Sequence, residues 1–305
     1  MASAIRTLLI INPGSRRGSE ATLDEGVERL RSAGFEVEVY LSEGPEQSRR
    51  AVRERREQLE LVIMAGGDGT ISSMAQTLYE CQLSLAILPL GTANDLARTL
   101  GVPQELNAAF DVIAANPRRR IDLGVVNDQY FFNVANLGLG VQVTEELTDE
   151  VKKQWGVFSY LKAFFAALLR RRQFRVRLTV DGQRQKLRSI QLAVGNGRYY
   201  GGGNVVRDCA SIDDGLLSLY SVRPLGVWEL LTLAPLLREG QYDLDHRVVT
   251  ARGQRIEIET RPTGMSIHAD GEPVTATPAQ FHCIPGALEV VAPENNAFET
   301  DRPML

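Results

Sequence analysis

Short apolar runs alternate with amphipathic stretches through the first third of the chain, and that alternation predicts a parallel α/β domain. Residues 7–12 (TLLIIN) read as a strand, Glu20–Ser32 as a helix, Phe35–Leu41 (FEVEVYL) as a strand, and the charged stretch 46–58 as a helix. A strand over 61–67 (LVIMAGG) follows, then a helix with Ile71, Met74, Ala75 and Leu78 on one face. Next come a strand over 84–90 (SLAILPL) and helices over 94–100 and 105–116. Strands linked through helices in this order pair in parallel and are covered on both faces. Past Asn116-Pro117 the texture changes to short runs broken by Gly, Asn and Asp: IDLGVV, YFFNVANLG, FRVRLTV, SIQLAVGN, LLSLYSV, RIEIET, MSIHA and GALEVVA. These predict a mainly antiparallel second domain, a sandwich or flattened barrel, interrupted by helices over 151–172 and 226–239. The expected division is 1–122, 123–292, and a tail over 293–305 that either straps back onto the first domain or frays.

Ligands of such parallel sheets bind at the carboxyl ends of the strands, where Asn12, residues 66–70 and residues 91–95 fall. Gly66-Gly67-Asp68-Gly69-Thr70 joins a buried strand to a helix. Glycines there let backbone N–H groups approach a ligand, and the helix dipole favours a phosphate. Asp68 would repel a bare phosphate, so its place in the turn makes sense with a divalent cation or a Lys/Arg between them. An ordinary βα turn with an Asx-type cap is the competing reading. Leu88-Pro89-Leu90-Gly91-Thr92-Ala93-Asn94-Asp95 repeats the order of strand, glycine, hydroxyl and helix. Two such turns ending neighbouring strands could clamp one polyphosphate between them, which favours the phosphate reading. The first turn, Ile11-Asn12-Pro13-Gly14-Ser15-Arg16-Arg17-Gly18, matches neither GxGxxG nor GxxxxGK[ST], and no GxSxG elbow exists. The motifs therefore argue against a dehydrogenase, a P-loop ATPase and a serine hydrolase.

The stretch VKKQWGVFSYLKAFFAALLRRR over 151–172 carries Phe158, Leu161, Phe165 and Leu168 on one helical face, with Tyr160 and Phe164 alongside. It reads as a membrane-surface helix or as a helix covering a sheet, its terminal arginines set favourably on the dipole; the second reading is preferred. At 305 residues, 44% hydrophobic and 24% charged, the composition is that of a soluble globular protein. A net charge of −4 gives no support to nucleic-acid binding. Cys81, Cys209 and Cys283 are scattered and odd in number, and His246, His268 and His282 lack ligand spacing, so neither a disulfide framework nor a zinc site is indicated. No apolar run reaches the length of a signal peptide or a membrane span, and a cytoplasmic protein is expected.

Taken together, GGDGT at 66–70 and LPLGTANDLART at 88–99 resemble the catalytic domain of the diacylglycerol kinase superfamily, in particular the bacterial YegS-like lipid kinases. Asn12-Pro13, NVANLGLG at 133–140, Gly195-Asn196-Gly197, IDDGLL at 212–217 and HADGEP at 268–273 match later landmarks in order, so the resemblance covers nearly the whole chain. It implies a Rossmann-like first domain of the NAD-kinase/diacylglycerol-kinase type, an antiparallel β-sandwich second domain, and an active site in the cleft between domains. It further implies an ATP-dependent lipid kinase that phosphorylates a hydroxyl of a glycerol-type lipid (diacylglycerol, monoacylglycerol or phosphatidylglycerol) and is peripheral to the inner face of the membrane. By the same resemblance Gly66, Gly67, Asp68, Gly69, Thr70, Ile71, Ser72, Ser73 and Thr92 bind the nucleotide phosphates, joined by Ser42. Ser72-Ser73 stands where the family often has Asn-Glu, so the backbone there carries over and the side chains do not. Glu272 matches the family's proton acceptor, and Asp68 is the catalytic carboxylate that holds magnesium on the phosphates. The main-chain oxygens of Ser211 and Leu216, with the Asp214 side chain, match a Mg2+ site, with Ca2+ as an alternative occupant. The competing functions are an NAD kinase, against which GTANDLA argues, and a catalytically silent lipid- or nucleotide-binding regulator, against which Asp68 and Glu272 argue.

Overall fold

A computed structural model describes residues 4–12, 20–139, 141, 173–206, 210–242 and 245–293. The expected helix over 151–172, turn residues 13–18 and the tail beyond Pro293 lie outside them. The chain divides into two compact units, Met1–Leu123 with Pro285–Leu305, and Gly124–Ile284.

The first unit runs β1 (Ile5–Ile11), α1 (Glu20–Ser32), β2 (Phe35–Leu41), α2 (Pro45–Arg55), β3 (Leu61–Gly66), α3 (Asp68–Ser72), α4 (Ala75–Cys81), β4 (Ser84–Pro89), α5 (Asp95–Leu100) and α6 (Leu106–Ala115). Its strands pair in parallel in the order β2-β1-β3-β4. Consecutive residues Leu61, Val62, Ile63 and Met64 are all 0% exposed, so β3 is covered on both faces and its unbroken apolar run has its physical reason. The single helix expected after β3 is instead broken. Met74 N–H donates to the Ile71 carbonyl, three residues back, and Ser73 Oγ donates to the Thr70 carbonyl at 2.8 Å. This tightened last turn ends α3, and the chain starts again as α4.

The second unit is entered within β5 (Arg118–Val126) and continues through β6 (Gln129–Phe131), β7 (Val134–Gly138), β8 (Phe174–Val180), β9 (Gln183–Ser189) and β10 (Gln191–Gly195). Then follow β11 (Tyr199–Tyr200), β12 (Asn204–Val205), β13 (Leu217–Val222), α7 (Val227–Glu239), β14 (Val248–Gly253), β15 (Arg255–Arg261), β16 (Ser266–Ala269), β17 (Glu272–Ala276) and β18 (Ala279–Val291). Its main strands form two antiparallel groups, β18-β15-β8-β9 and β14-β13-β10-β7-β16-β17, as the sandwich reading expects. Inward residues of both, among them Leu178, Leu192, Leu219, Ile258 and Phe281, make one core, joined by Phe131 of β6. On the other side of β10 and β13, Ala193 and Tyr220 pack with Leu230 and Leu233 of α7.

The chain returns to the first unit within β18, where Val290 pairs in parallel with Leu85. Glu289 secures this return: its Oε2 accepts 2.6 Å hydrogen bonds from Ser84 Oγ and from Arg118 Nη1. The Ser84 hydrogen bond first, and the Arg118 guanidinium second, hold the Glu289 carboxyl below the usual glutamate range. A carboxyl depressed on folding stabilises above its unfolded pKa, and that contribution is lost as pH falls through the folded value. Glu289→Gln should therefore cost about 1 kcal/mol at pH 7, a charge-assisted bond discounted for partial exposure. Urea melts of both proteins should show this gap closing as the pH is taken down through the acid range.

Candidate functional site

Gly67 follows β3 and Gly91 follows β4, and the two backbones lie against each other. A Cβ built on Gly91 would sit 2.6 Å from Gly67 Cα and 2.7 Å from Asn94 Oδ1; one on Gly67 would sit 3.2 Å from Gly91 Cα. Such a contact admits no side chain at Gly91 without displacing backbone. Side chains then lock the pair. Asp68 Oδ1 accepts a hydrogen bond from Leu96 N–H at 3.1 Å, so the carboxylate of the first turn caps the helix of the second. Asn94, at φ 50° in the left-handed region, accepts from Gly91 N–H at 2.9 Å and donates to the Gly91 carbonyl at 2.9 Å. Leu90 N–H donates to the Gly66 carbonyl at 3.1 Å. The end of β1 joins as well, with Asn12 Nδ2 donating to Thr70 Oγ1 at 3.4 Å.

The first helical bond at this end is Ile71 N–H to the Gly67 carbonyl, 3.1 Å, so the amides of Asp68, Gly69 and Thr70 precede it at the amino end of α3. Gly69 and Thr92 are exposed, and Gly67, Asp68, Thr70, Ser72 and Ser73 are half-buried. Two expected ligand residues have other occupations. Ile71 is 1% exposed and packs in the core. Ser42 is 3% exposed; its hydroxyl donates to the Gly44 carbonyl at 2.8 Å and accepts from Ser48 Oγ at 2.7 Å. Gly66 is buried as the last residue of β3.

In the second unit, Asp270 (φ 48°) and Gly271 (φ 94°) form the tight turn between β16 and β17, and Glu272 is the next residue. Two successive positive φ values suit a type I′ hairpin and explain the Asp-Gly pair. The Asp270 carboxylate accepts from three amides: Phe132 at 2.8 Å, Asn133 at 2.9 Å and Val134 at 3.0 Å. It is thereby committed to holding the chain between β6 and β7, a role the sequence pattern does not signal. Glu272 is exposed, and its carboxylate makes no hydrogen bond or ion pair among the described residues.

The 211–216 loop departs from the metal site that the resemblance implies. Asp214 Oδ1 accepts from Leu216 N–H at 2.9 Å, while Oδ2 is paired with Arg252 Nη2 at 2.6 Å and accepts from Ser211 N–H at 3.4 Å. The neighbouring Asp213 accepts from Ser211 Oγ. A divalent cation at Asp214 would have to displace the guanidinium, so these residues do not fit a metal site as they stand. No cluster of three or more His, Cys, Asp or Glu side chains suited to a metal occurs among the described residues. Asp68 fits better: one oxygen is engaged by Leu96, leaving the other as a ligand of the kind Mg2+ takes alongside phosphate oxygens.

Gly91→Ala tests the joint between the turns. The added methyl should cost about 1–3 kcal/mol as an overpacked contact. It should also abolish the thermal shift given by MgATP, whereas Gly101→Ala, uncrowded but strained by a φ of 74°, should also lower stability yet keep that shift.

Residues 6–126 match the family model for the diacylglycerol kinase catalytic domain, and residues 133–292 match the YegS C-terminal NAD kinase beta sandwich-like domain. A protein of Pseudomonas savastanoi pv. phaseolicola named "Probable lipid kinase YegS-like" is 36% identical over 98% of this chain and 97% of its own length. One of the same name from Pseudomonas aeruginosa (strain UCBPP-PA14) is 33% identical over 97% of each chain. Among solved structures, a "putative diacylglycerol kinase" from Bacillus anthracis superposes with a TM-score of 0.82 at 27% identity, covering 96% of this chain and 97% of that one. The paired glycine turns followed by an antiparallel sandwich, with both family models matched in order across nearly all of its length, place this chain in the family of YegS-like lipid kinases.

Proposed function

We propose that this ATP-dependent lipid kinase transfers the γ-phosphate of ATP to a hydroxyl of a glycerol-type lipid at a membrane surface. The observation that carries the reading is the Gly67–Gly91 contact, which brings two strand-to-helix turns together at the carboxyl ends of adjacent parallel strands. A polyphosphate laid over this joint meets the amides of Asp68, Gly69 and Thr70, the hydroxyls of Thr70 and Thr92, and the positive end of α3. Gly66, Ile71, Ser72 and Ser73 contribute backbone and packing to the same turn, and Ser42 supports the turn after β2 from within. Mg2+ bound with the nucleotide neutralises phosphate charge, and Asp68 is the residue that would hold it.

The acceptor is an alcohol, a weak nucleophile at neutral pH, so the reaction needs a positioned proton acceptor more than it needs covalent help. Glu272 suits that role because its carboxylate is exposed and uncommitted, whereas Asp270, two residues earlier, has both oxygens taken by amides. The rigid turn at Asp270-Gly271 fixes where β17 begins and so positions Glu272. No helix of the described residues is long and apolar enough to cross a membrane.

Two substitutions divide the roles. Glu272→Gln should leave MgATP binding intact and lower kcat for the lipid about 10²–10⁴-fold, the usual contribution of a general base. Asp68→Asn keeps an acceptor for Leu96 N–H and hence the cap, yet should abolish turnover and weaken the dependence of ATP binding on Mg2+. Steady-state kinetics with a lipid in mixed micelles, paired with ATP titration calorimetry, reads both. Near-normal kcat in Glu272→Gln would remove this carboxylate as the base.

A further inference from the structure

The outward face of β8, β9 and β15 carries a charge pattern that folding alone does not call for. Phe174, Val176 and Leu178 of β8 point into the core, which turns Arg175 and Arg177 outward. By register, Arg175 stands directly opposite Arg188 on one side and Arg261 on the other. In the next row, Arg177 lies between Lys186 and Glu259. Directly opposed like charges on neighbouring strands are destabilising, and here three guanidiniums line up across three strands. Arg177 has Glu259 at 3.2 Å, but Arg175, Arg188 and Arg261 have no carboxylate partner among the described residues, and all three are exposed. The three strands together carry seven basic and two acidic side chains in a chain whose net charge is −4. The basic character is therefore local to this face.

Two further features adjoin it. A cavity of about 960 Å³ is bordered by Arg175, Arg188 and Arg261, together with Arg223, Leu187 and Pro224, so cationic groups surround an apolar lining. Trp228, in the first turn of α7, is 82% exposed. It lies four positions after Pro224, a reach of at most about 14 Å. An exposed tryptophan within that reach of the cavity suits a headgroup layer, since the indole is amphipathic, while guanidinium binds phosphate bidentately.

We propose that this face of the second unit, with Trp228 at its margin, docks the enzyme on a bilayer of anionic phospholipid. The proposal rests on the lipid-kinase reading for its biological sense, but not for its test. Charge complementarity selects the occupant: a second copy of the chain would oppose arginines to arginines, and an anionic headgroup layer supplies many phosphates in one plane to a flat row of cations. The strain of the arginine row in the unbound protein is relieved when those phosphates come between the guanidiniums.

The test is vesicle co-sedimentation of the full chain without nucleotide, using phosphatidylcholine vesicles with and without 30% phosphatidylglycerol (about 30 mol%, a composition that gives a strongly negative surface). Wild type should bind only the anionic vesicles and should be released as salt shortens the Debye length. Changing Arg175, Arg188 and Arg261 together to Gln should weaken binding roughly 100-fold, about fivefold for each basic residue near the surface. Its melting temperature should be unchanged or raised, because like-charge repulsion is removed. A control triple of exposed arginines in the first unit, Arg50, Arg53 and Arg56 to Gln, should bind like wild type. Trp228→Ser should weaken binding in a way that salt does not mimic. Equal loss in both triples would mean net charge rather than this face, and would overturn the proposal. So would undiminished binding in the Arg175/Arg188/Arg261 variant, or wild-type binding to soluble duplex DNA as tight as to vesicles. Lipid turnover in neutral detergent micelles is read separately: its absence in the wild type would count against the kinase reading while leaving the docking result to stand or fall by itself.

Discussion

Gly67 and Gly91 meet backbone to backbone, and the candidate site depends on that contact. Parallel strands β3 and β4 deliver two turns to the same end of the sheet, but delivery alone leaves them a side chain apart. Removing both Cβ atoms lets the backbones touch, and the Asp68–Leu96 and Asn94–Gly91 bonds convert that touch into a fixed geometry. The result is a surface made of amide donors and helix ends rather than long side chains. That surface is suited to a ligand whose charge is spread over many equivalent oxygens. Asp68 caps the helix of the second turn and, in the proposed reaction, is also the residue that would hold Mg2+.

The base proposed in the second unit meets a different requirement. An exposed acid on a flexible loop is a poor proton acceptor because its position is unspecified. Here the acid follows a two-residue turn whose own aspartate is anchored by three amides, so Glu272 begins a strand of defined register. In the 211–216 loop the motif's aspartate already has a cationic partner. Arg252, reaching from β14, supplies Asp214 with the positive charge that the resemblance assigns to a cation.

Much of this was legible in the chain, and the exceptions have physical causes. β1, β3 and β4 are readable because burial on both faces demands unbroken apolar runs, β2 because it alternates, and the two turns because glycine, hydroxyl and helix recur in the same order. β9 (QRQKLRS) escaped because a strand at the end of its sheet needs few apolar side chains, and only half-buried Leu187 marks it. The break between α3 and α4 escaped because Ile71, Met74 and Leu78 keep a helical period across it, while the interruption is made by backbone bonds. The apolar pattern GALEVVA disclosed only the latter part of β18, since its first part alternates Gln280 and His282 with Phe281 and Cys283. Asn94, Arg252 and the three amides on Asp270 depend on contacts between residues far apart in the chain or on an unusual φ, and no local pattern announces them. Ser42 and Ile71 look like ligands in a motif, but their burial assigns them to the packing beneath it.

The central claim is that the joined glycine turns hold ATP for transfer to a lipid alcohol. It is tested most directly by incubating the full chain with γ-labelled ATP, Mg2+, and a panel of glycerol-type lipids in mixed micelles, with NAD present in the same reaction, and separating the products. The account predicts label in the organic phase as a phosphorylated lipid, dependent on Mg2+, with none in the dinucleotide. Label recovered in NADP, or unreacted ATP with every lipid supplied, would contradict it.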